Sequence, residues 1–404
     1  MMFTFPARPA NFDFYSVGRI IFGRGRFADV GQVAGQFGKS ALVVHNADRL
    51  VERAERLLAA AGVRAVFLRQ RGEPQVADVD RGVEMARAEK SDLVIGLGGG
   101  SAIDAAKAVA GLLGNGGSAL DYMEVIGRGL KITRPAAPWV AIPTTAGTGA
   151  EATRNAVIGY PPRQFKASIR SEFLLACVAL VDPELGVDVR PEITACSGMD
   201  ALCQLIESFT SNGGGAVTDG LAVKGIHLAA QSLRRAYENG HDIDAREKMA
   251  TAALLSGIAL TNAGLGAVHG FAAPMGANYP APHGAICAAL LPHVLAANID
   301  ALKSESAEHP VLLRYAQIGQ VLKRPPLDKL HMPDFEAAVD ACVSVTAELV
   351  RDLKIPPLSE YGLTAERIPE MAALAAKSSS MRYNPVVLPQ ETLKKILRDA
   401  IGQS

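Results

Sequence analysis

Net charge is the first thing this chain lacks. Its 404 residues carry 41 Lys+Arg against 41 Asp+Glu, a balance that argues against nucleic acid or an anionic membrane as a partner. It has no run of about 18 apolar residues, so no membrane span is expected. Its first residues show no basic-then-apolar leader. Cysteine is sparse as well. The five, Cys177, Cys196, Cys203, Cys287 and Cys342, form no C-x-x-C pair and are odd in number. That fits reduced, mostly buried thiols in a cytoplasmic protein rather than a disulfide framework.

Apolar residues are plentiful, at 49%, and the length favours two or three domains with large cores. From Lys39 to Pro143 strand and helix signals alternate. Apolar runs at residues 39–44, 63–68, 92–95 and 139–143 read as strands, with helices over 50–61, 79–90 and after Gly100. Such alternation means βαβ units and a mostly parallel sheet covered on both faces. Residues 178–181 are the last clear strand. Beyond them the chain reads as helices over 197–211, 219–239, 245–263, 285–298, 334–353, 365–371 and 388–401, with loops at 212–215 and 274–282. The expected organisation is therefore an α/β domain over 1–190 and an all-helical domain over 191–404.

Four segments carry chemistry. In the first, Leu93 to Gly98 runs straight into Gly99, Gly100 and Ser101, with a helix following. Glycine lets a ligand approach the backbone, and a helix N-terminus offers free N–H groups and a positive dipole end. The turn is thus a seat for phosphate, although a tight ligand-free turn would look the same. Asp104 either organises this loop or simply pairs with Lys107 one turn on. The second segment, Pro143 to Thr153, sets Thr144, Thr145 and Thr148 at the end of a strand, where open α/β sheets bind ligands. In the third, Asp200 and Gln204 share a helix face, while Ser197-x-x-Asp200 equally fits a capping box. In the fourth, His269 and His283 each precede glycine, and Pro274, Pro280 and Pro282 forbid one continuous helix between them. The chain can fold back there and bring both imidazoles to a metal.

Taken together and in this order, the segments resemble the iron-containing (group III) alcohol dehydrogenase family. The resemblance extends from Phe14-Tyr15-x-x-Gly18-Arg19-Ile20-Ile21-Phe22-Gly23 to Asn384-Pro385. It implies a dehydroquinate synthase-like fold, with a Rossmann-like dinucleotide-binding domain, a helical domain and a cleft between them, often in a homodimer. It implies NAD(P)-linked interconversion of a small alcohol and aldehyde. Gly98, Gly99, Gly100 and Ser101 would hold the pyrophosphate, with Asp104 in the same loop. Thr144, Thr145 and Thr148 would line the phosphate and nicotinamide side, and Asn155 and Lys166 match positions facing the cofactor. Asn46 stands where NAD-preferring members carry Asp; it lacks the repelling charge, so NADP stays open beside NAD.

The family's metal ligands are an Asp and a His four apart, then two more His. Asp200, His269 and His283 match, but Gln204 stands in place of the first His, and Ala273 where many members have another. Gln offers only a neutral carbonyl oxygen. The resemblance therefore implies Fe²⁺ or Zn²⁺ held by Asp200, Gln204, His269 and His283, weakly held or even absent. Relatives of the same fold leave alternatives: a maleylacetate reductase, a glycerol dehydrogenase-like enzyme, a dehydroquinate synthase, or a non-catalytic nucleotide binder.

Overall fold

The computed structural model describes residue 8, residues 11–323 and residues 334–402, so the outermost residues of both expected domains lie outside the described residues. The chain divides into two compact units. One comprises residues 15–145 and 149–189. The other comprises residues 1–14, 146–148 and 190–404. Residue 8, residues 11–14 and a three-residue piece of the threonine loop thus go with the helices.

The α/β unit is built on strands β1 (Arg19–Phe22), β2 (Ser40–His45), β3 (Arg64–Arg69), β4 (Leu93–Gly98), β5 (Trp139–Pro143) and β8 (Val178–Val181). They form one sheet in the order β1-β8-β5-β4-β2-β3, with every neighbouring pair parallel. Strands β4, β5 and β8 are buried at every residue, as expected of apolar strands covered on both faces. Helices α1 (Val30–Ala34), α2 (Val51–Ala60), α3 (Val76–Ala88), α4 (Gly100–Asn115) and α5 (Ala119–Tyr122) complete the crossovers. Val43, Leu93, Ile95 and Leu97 pack with Phe27, Ala54 and Leu58 in one core, and Gly96 lies against Ala106 and Ile103 of α4.

Two further strands, β6 (Asn155–Tyr160) and β7 (Phe165–Arg170), form a separate antiparallel hairpin. Sequence periodicity does not announce this hairpin. Its faces are only half buried, which blurs the alternation, and its turn is made by Pro161 and Pro162 with Gln164 left-handed at φ 49.

The helical unit consists of α6 (Pro191–Thr210), α7 (Ala216–Glu238), α8 (Ile243–Ala263), α9 (Ala267–Asn278), α10 (His283–Glu305), α11 (Pro310–Leu322), α12 (Phe335–Asp352), α13 (Ile368–Ala376) and α14 (Gln390–Ala400). Two expectations change here. Helix α6 starts at Pro191, which is pre-shaped for a first helical turn. Ser197 therefore sits inside the helix and donates to the Ile193 carbonyl at 2.7 Å, so it is not a cap. Residues 274–278, expected in a loop, are the last turn of α9. Pro274 is accommodated within that helix, and the break comes at 279–282. Helix α10 has the length and mean hydropathy, 1.7, of a spanning segment, but 72% of that window is buried inside the protein. It is a core helix. Helix α6 is also buried on nearly all sides from Gly198 to Thr210.

Candidate active site

Strand register assembles a candidate site in the α/β unit. His45 pairs with Leu97, and Gly98 pairs with Pro143, so Asn46, the glycine turn and Thr144 emerge at the carboxyl ends of three adjacent strands. The connection after β2 leads toward β3, and the one after β4 leads the opposite way toward β5. The crevice between β2 and β4 is therefore the topological switch point, where open α/β sheets take their ligands.

Asn46 Oδ1 accepts from the Gly99 N–H at 2.9 Å. Gly98 is at φ 155, and a Cβ there would lie 2.0 Å from Asn46 Oδ1, so glycine is required by both backbone and packing. Helix α4 begins without a side-chain cap on Gly99, leaving its first N–H groups and dipole end available to an anion. Thr145 Oγ1 lies 3.3 Å from where a Cβ on Gly99 would stand. This uncapped cradle fits a pyrophosphate.

Asp104 is engaged within the fold: Oδ1 takes Lys107 Nζ at 3.3 Å, and Oδ2 accepts the Val157 N–H at 3.0 Å. Lys107, fully buried, also donates to Thr153 Oγ1 at 2.6 Å and to the Asn155 carbonyl at 2.7 Å. These bonds fasten α4 to the hairpin. Asn155 and Lys166 both lie on that hairpin but are not opposite each other, since Lys166 pairs with Gly159. The buried Asn155 Oδ1 has no protein partner, whereas Lys166 is paired with Glu73 at 3.0 Å. Burial raises the Glu151 carboxyl to about 7, against the pull of the Lys107 ammonium. Thr148 belongs to the helical unit, in the piece 146–148.

The candidate site of the helical unit is made of side chains on α6, α9 and α10. Asp200, His269, His283 and Cys287 offer four ligand atoms that all lie within 4.8 Å of one another. His269 Nε2 is 3.2 Å and His283 Nε2 is 3.7 Å from Asp200 Oδ1. Nitrogen and oxygen ligands about 2.0 Å from one tetrahedral metal stand roughly 3.3 Å apart, so this donor set fits a divalent ion. Gly284 makes the approach of α10 to α6 feasible, because a Cβ there would be 2.2 Å from the Cys196 carbonyl oxygen. Asp200 and His269 are buried, and His283, with 29% of its side chain exposed, forms the open rim.

Glu207 orients this cluster from behind. The His269 Nδ1–H donates to Glu207 Oε2 at 2.6 Å, and the Val268 N–H donates to Oε1 at 2.7 Å. A carboxylate on Nδ1 fixes the tautomer that leaves Nε2 as the ligand atom. Asn384 Oδ1 accepts the Ala267 N–H at 3.1 Å, so the start of α9 is held from two sides. Burial lowers the basicity of His269, yet the negative charges of Cys287, Glu207 and Asp200 hold its pKa well above the ordinary value; His283 is raised in the same way. Burial opposes the Cys287 thiolate, but the Cys203 hydrogen bond and the two imidazoles pull its pKa below the usual thiol value.

Gln204 sits beside the cluster. Its Nε2 donates to Asp200 Oδ2 at 3.3 Å, and its Oε1 accepts from Ser256 Oγ at 2.9 Å. Glu207 and Cys287 are the residues that motif reading missed. Their signals were available in spacing: Cys287 follows His283, and Glu207 follows Cys203, by one helical turn each.

Family models agree with this layout. A model described as iron-containing alcohol dehydrogenase matches residues 18–183, and one described as the C-terminal part of the Fe-containing alcohol dehydrogenase family matches residues 194–401. The chain is 34% identical over 388 residues to an NAD-dependent methanol dehydrogenase of Bacillus methanolicus, covering 94% of this chain and 97% of the relative. It is 33% identical over 371 residues to a 1,3-propanediol dehydrogenase of Klebsiella pneumoniae, covering 90% and 92%. Among solved structures, an alcohol dehydrogenase from Oenococcus oeni superposes with a TM-score of 0.86 at 31% identity, over 96% of this chain and all of that one.

Proposed function

The chain belongs to the iron-containing alcohol dehydrogenase family and is an alcohol oxidoreductase, and we propose that it interconverts a small uncharged alcohol and its aldehyde with NAD and a divalent metal. The observation that carries this reading is that one chain holds both an uncapped glycine cradle at its sheet's switch point and, in its helical unit, a buried Asp-His-His cluster. In this reading, Gly98 to Ser101 bind the pyrophosphate, Asn46 holds the turn open through Gly99, and Thr144, Thr145 and Thr148 line the cofactor. Asp200, His269 and His283 hold the metal. When bound, the metal supplies a Lewis acid that lowers the alcohol's pKa, and the dinucleotide supplies the hydride acceptor.

The chain's own residues do the rest. The Asp200 carboxylate contributes charge to the ligand set, and Glu207 takes the Nδ1 proton of His269, so that Nε2 is the nitrogen turned toward the metal. The part-exposed His283 marks the side from which an alcohol enters.

NAD is favoured over NADP by the cations near Asn46. Arg49 bonds the Leu185 carbonyl and pairs with Asp188 at 3.2 Å, and Arg69 pairs with Asp48. Neither guanidinium is free for a 2′-phosphate. An uncharged substrate is favoured because the Lys166 ammonium on the hairpin is already taken up by Glu73. A cytoplasmic location is supported by five unpaired thiols. A homodimer is supported by β1, an edge strand whose Ile20 is 39% exposed, and light scattering tests it.

The function is tested by following NADH formation from a panel of short primary alcohols, anaerobically, with Fe²⁺ or Zn²⁺ added. Turnover with NAD that is lost on chelation is expected. Folded, metal-loaded protein that turns over no alcohol or aldehyde would sink the proposal.

A further inference from the structure

Gln204 leaves the helical site one imidazole short of the family's ligand pattern, yet the site is not short of donors. Cys287 lies one turn beyond His283 on α10, fully buried, with Sγ 3.6 Å from His283 Nε2 and 3.7 Å from His269 Nε2. A sulfur at about 2.3 Å and a nitrogen at about 2.0 Å from one tetrahedral metal stand roughly 3.6 Å apart. Both separations match that edge. The competing donor is turned away, since Gln204 Oε1 accepts from Ser256 Oγ and Nε2 points at Asp200.

We propose that Cys287 is the fourth protein ligand of the metal, taking the place that Gln204 leaves, in a set of Asp200, His269, His283 and Cys287. This rests on the reading that the cluster binds a divalent metal at all. Binding displaces the protons that the Cys287–His269–His283 cluster shares and releases them to solvent, with no change of oxidation state. Cys203 lies next to Cys287 but outside the set of Asp200, His269, His283 and Cys287 whose donor atoms all lie within 4.8 Å of one another. A thiolate makes the site softer than one of imidazole and carboxylate, inclining it toward zinc over iron.

Cobalt substitution tests the proposal on the full chain. Metal-free protein is titrated anaerobically with Co²⁺ while two absorptions are followed. Visible ligand-field bands report metal bound at the site, and a near-ultraviolet thiolate-to-cobalt charge-transfer band reports a Co–S bond. The wild type is expected to reach one equivalent with both. Cys287→Ser is expected to lose the charge-transfer band and keep the ligand-field bands, and Cys203→Ser and Gln204→Ala to keep both. Stoichiometric cobalt without the charge-transfer band in wild type overturns the Cys287 assignment and leaves the metal reading standing. No cobalt uptake overturns both. Loss of the band in Cys203→Ser alone overturns the assignment by moving the sulfur to Cys203. If Cys287→Ser does not fold, ¹¹³Cd NMR of the wild type decides: a downfield, sulfur-ligated shift supports the proposal, and a shift typical of nitrogen and oxygen ligands alone overturns it.

Discussion

The two units build their sites in opposite ways. In the α/β unit the site is mostly backbone: N–H groups at the start of α4, a turn that only Gly98 can make, and strand ends aligned by register. In the helical unit it is side chains from α6, α9 and α10, held around Asp200 by Glu207 and Asn384. A backbone site tolerates change in side chains and is lost by change in glycine. A side-chain site can lose one donor and recruit another already nearby, as Gln204 and Cys287 illustrate.

This contrast can be broken by mutation, and the largest effect belongs to Asp200. Asp200→Asn removes the charged ligand at the centre of the cluster. It should lower kcat by on the order of 10³-fold while the Kd for NAD, measured by calorimetry, stays within about twofold of wild type. An equal loss of NAD affinity would erase the distinction between the two sites.

Next comes a pH effect confined to the α/β unit. The Glu151 carboxyl titrates near 7 in the folded protein, against an ordinary value of 4.5. Below about pH 4.5 it is protonated in both states and imposes no penalty. As pH rises through 4.5 toward 7, the unfolded chain releases its proton first, so stability falls, levelling off above 7 after a loss on the order of 3 kcal/mol. Glu151→Gln should flatten this slope in urea denaturation between pH 4.5 and 7. An unchanged slope would show that Glu151 does not titrate there.

Two smaller effects sharpen the comparison. Gly98→Ala should weaken NAD binding by roughly 10- to 100-fold, because the strain and the clash with Asn46 distort the cradle, with metal content unchanged. Glu207→Gln should weaken metal binding by about tenfold, because the amide holds the His269 tautomer less firmly, with NAD affinity unchanged. Metal competition against a chromophoric chelator measures it, and metal affinity equal to wild type would remove Glu207 from the site.

Periodicity made the α/β unit legible: four of the sheet's strands, the glycine turn and the threonine loop were all visible in residues 39–150. It was silent on the β6–β7 hairpin, whose half-buried strands alternate weakly, and on where α6 begins, because a capping-box pattern at Ser197 competed with Pro191. Asp200, His269 and His283 were visible as residue types in suggestive settings and in family resemblance. Their convergence was implied by the resemblance and, for the two imidazoles, by the prolines between them; what stayed hidden is the packing it depends on, Gly284 letting α10 approach α6 and Pro274 being absorbed into α9. Glu207 and Cys287 look in sequence like an ordinary acid and a small buried hydrophobe. Only the packing of three helices turns them inward.

Anomalous diffraction from crystals of active, zinc-loaded enzyme tests the arrangement most directly. One peak is expected within bonding distance of Asp200, His269, His283 and Cys287, with Gln204 still bonded to Ser256. A peak bonded to Gln204 with Cys287 turned away, or no peak at this cluster in active protein, would contradict it.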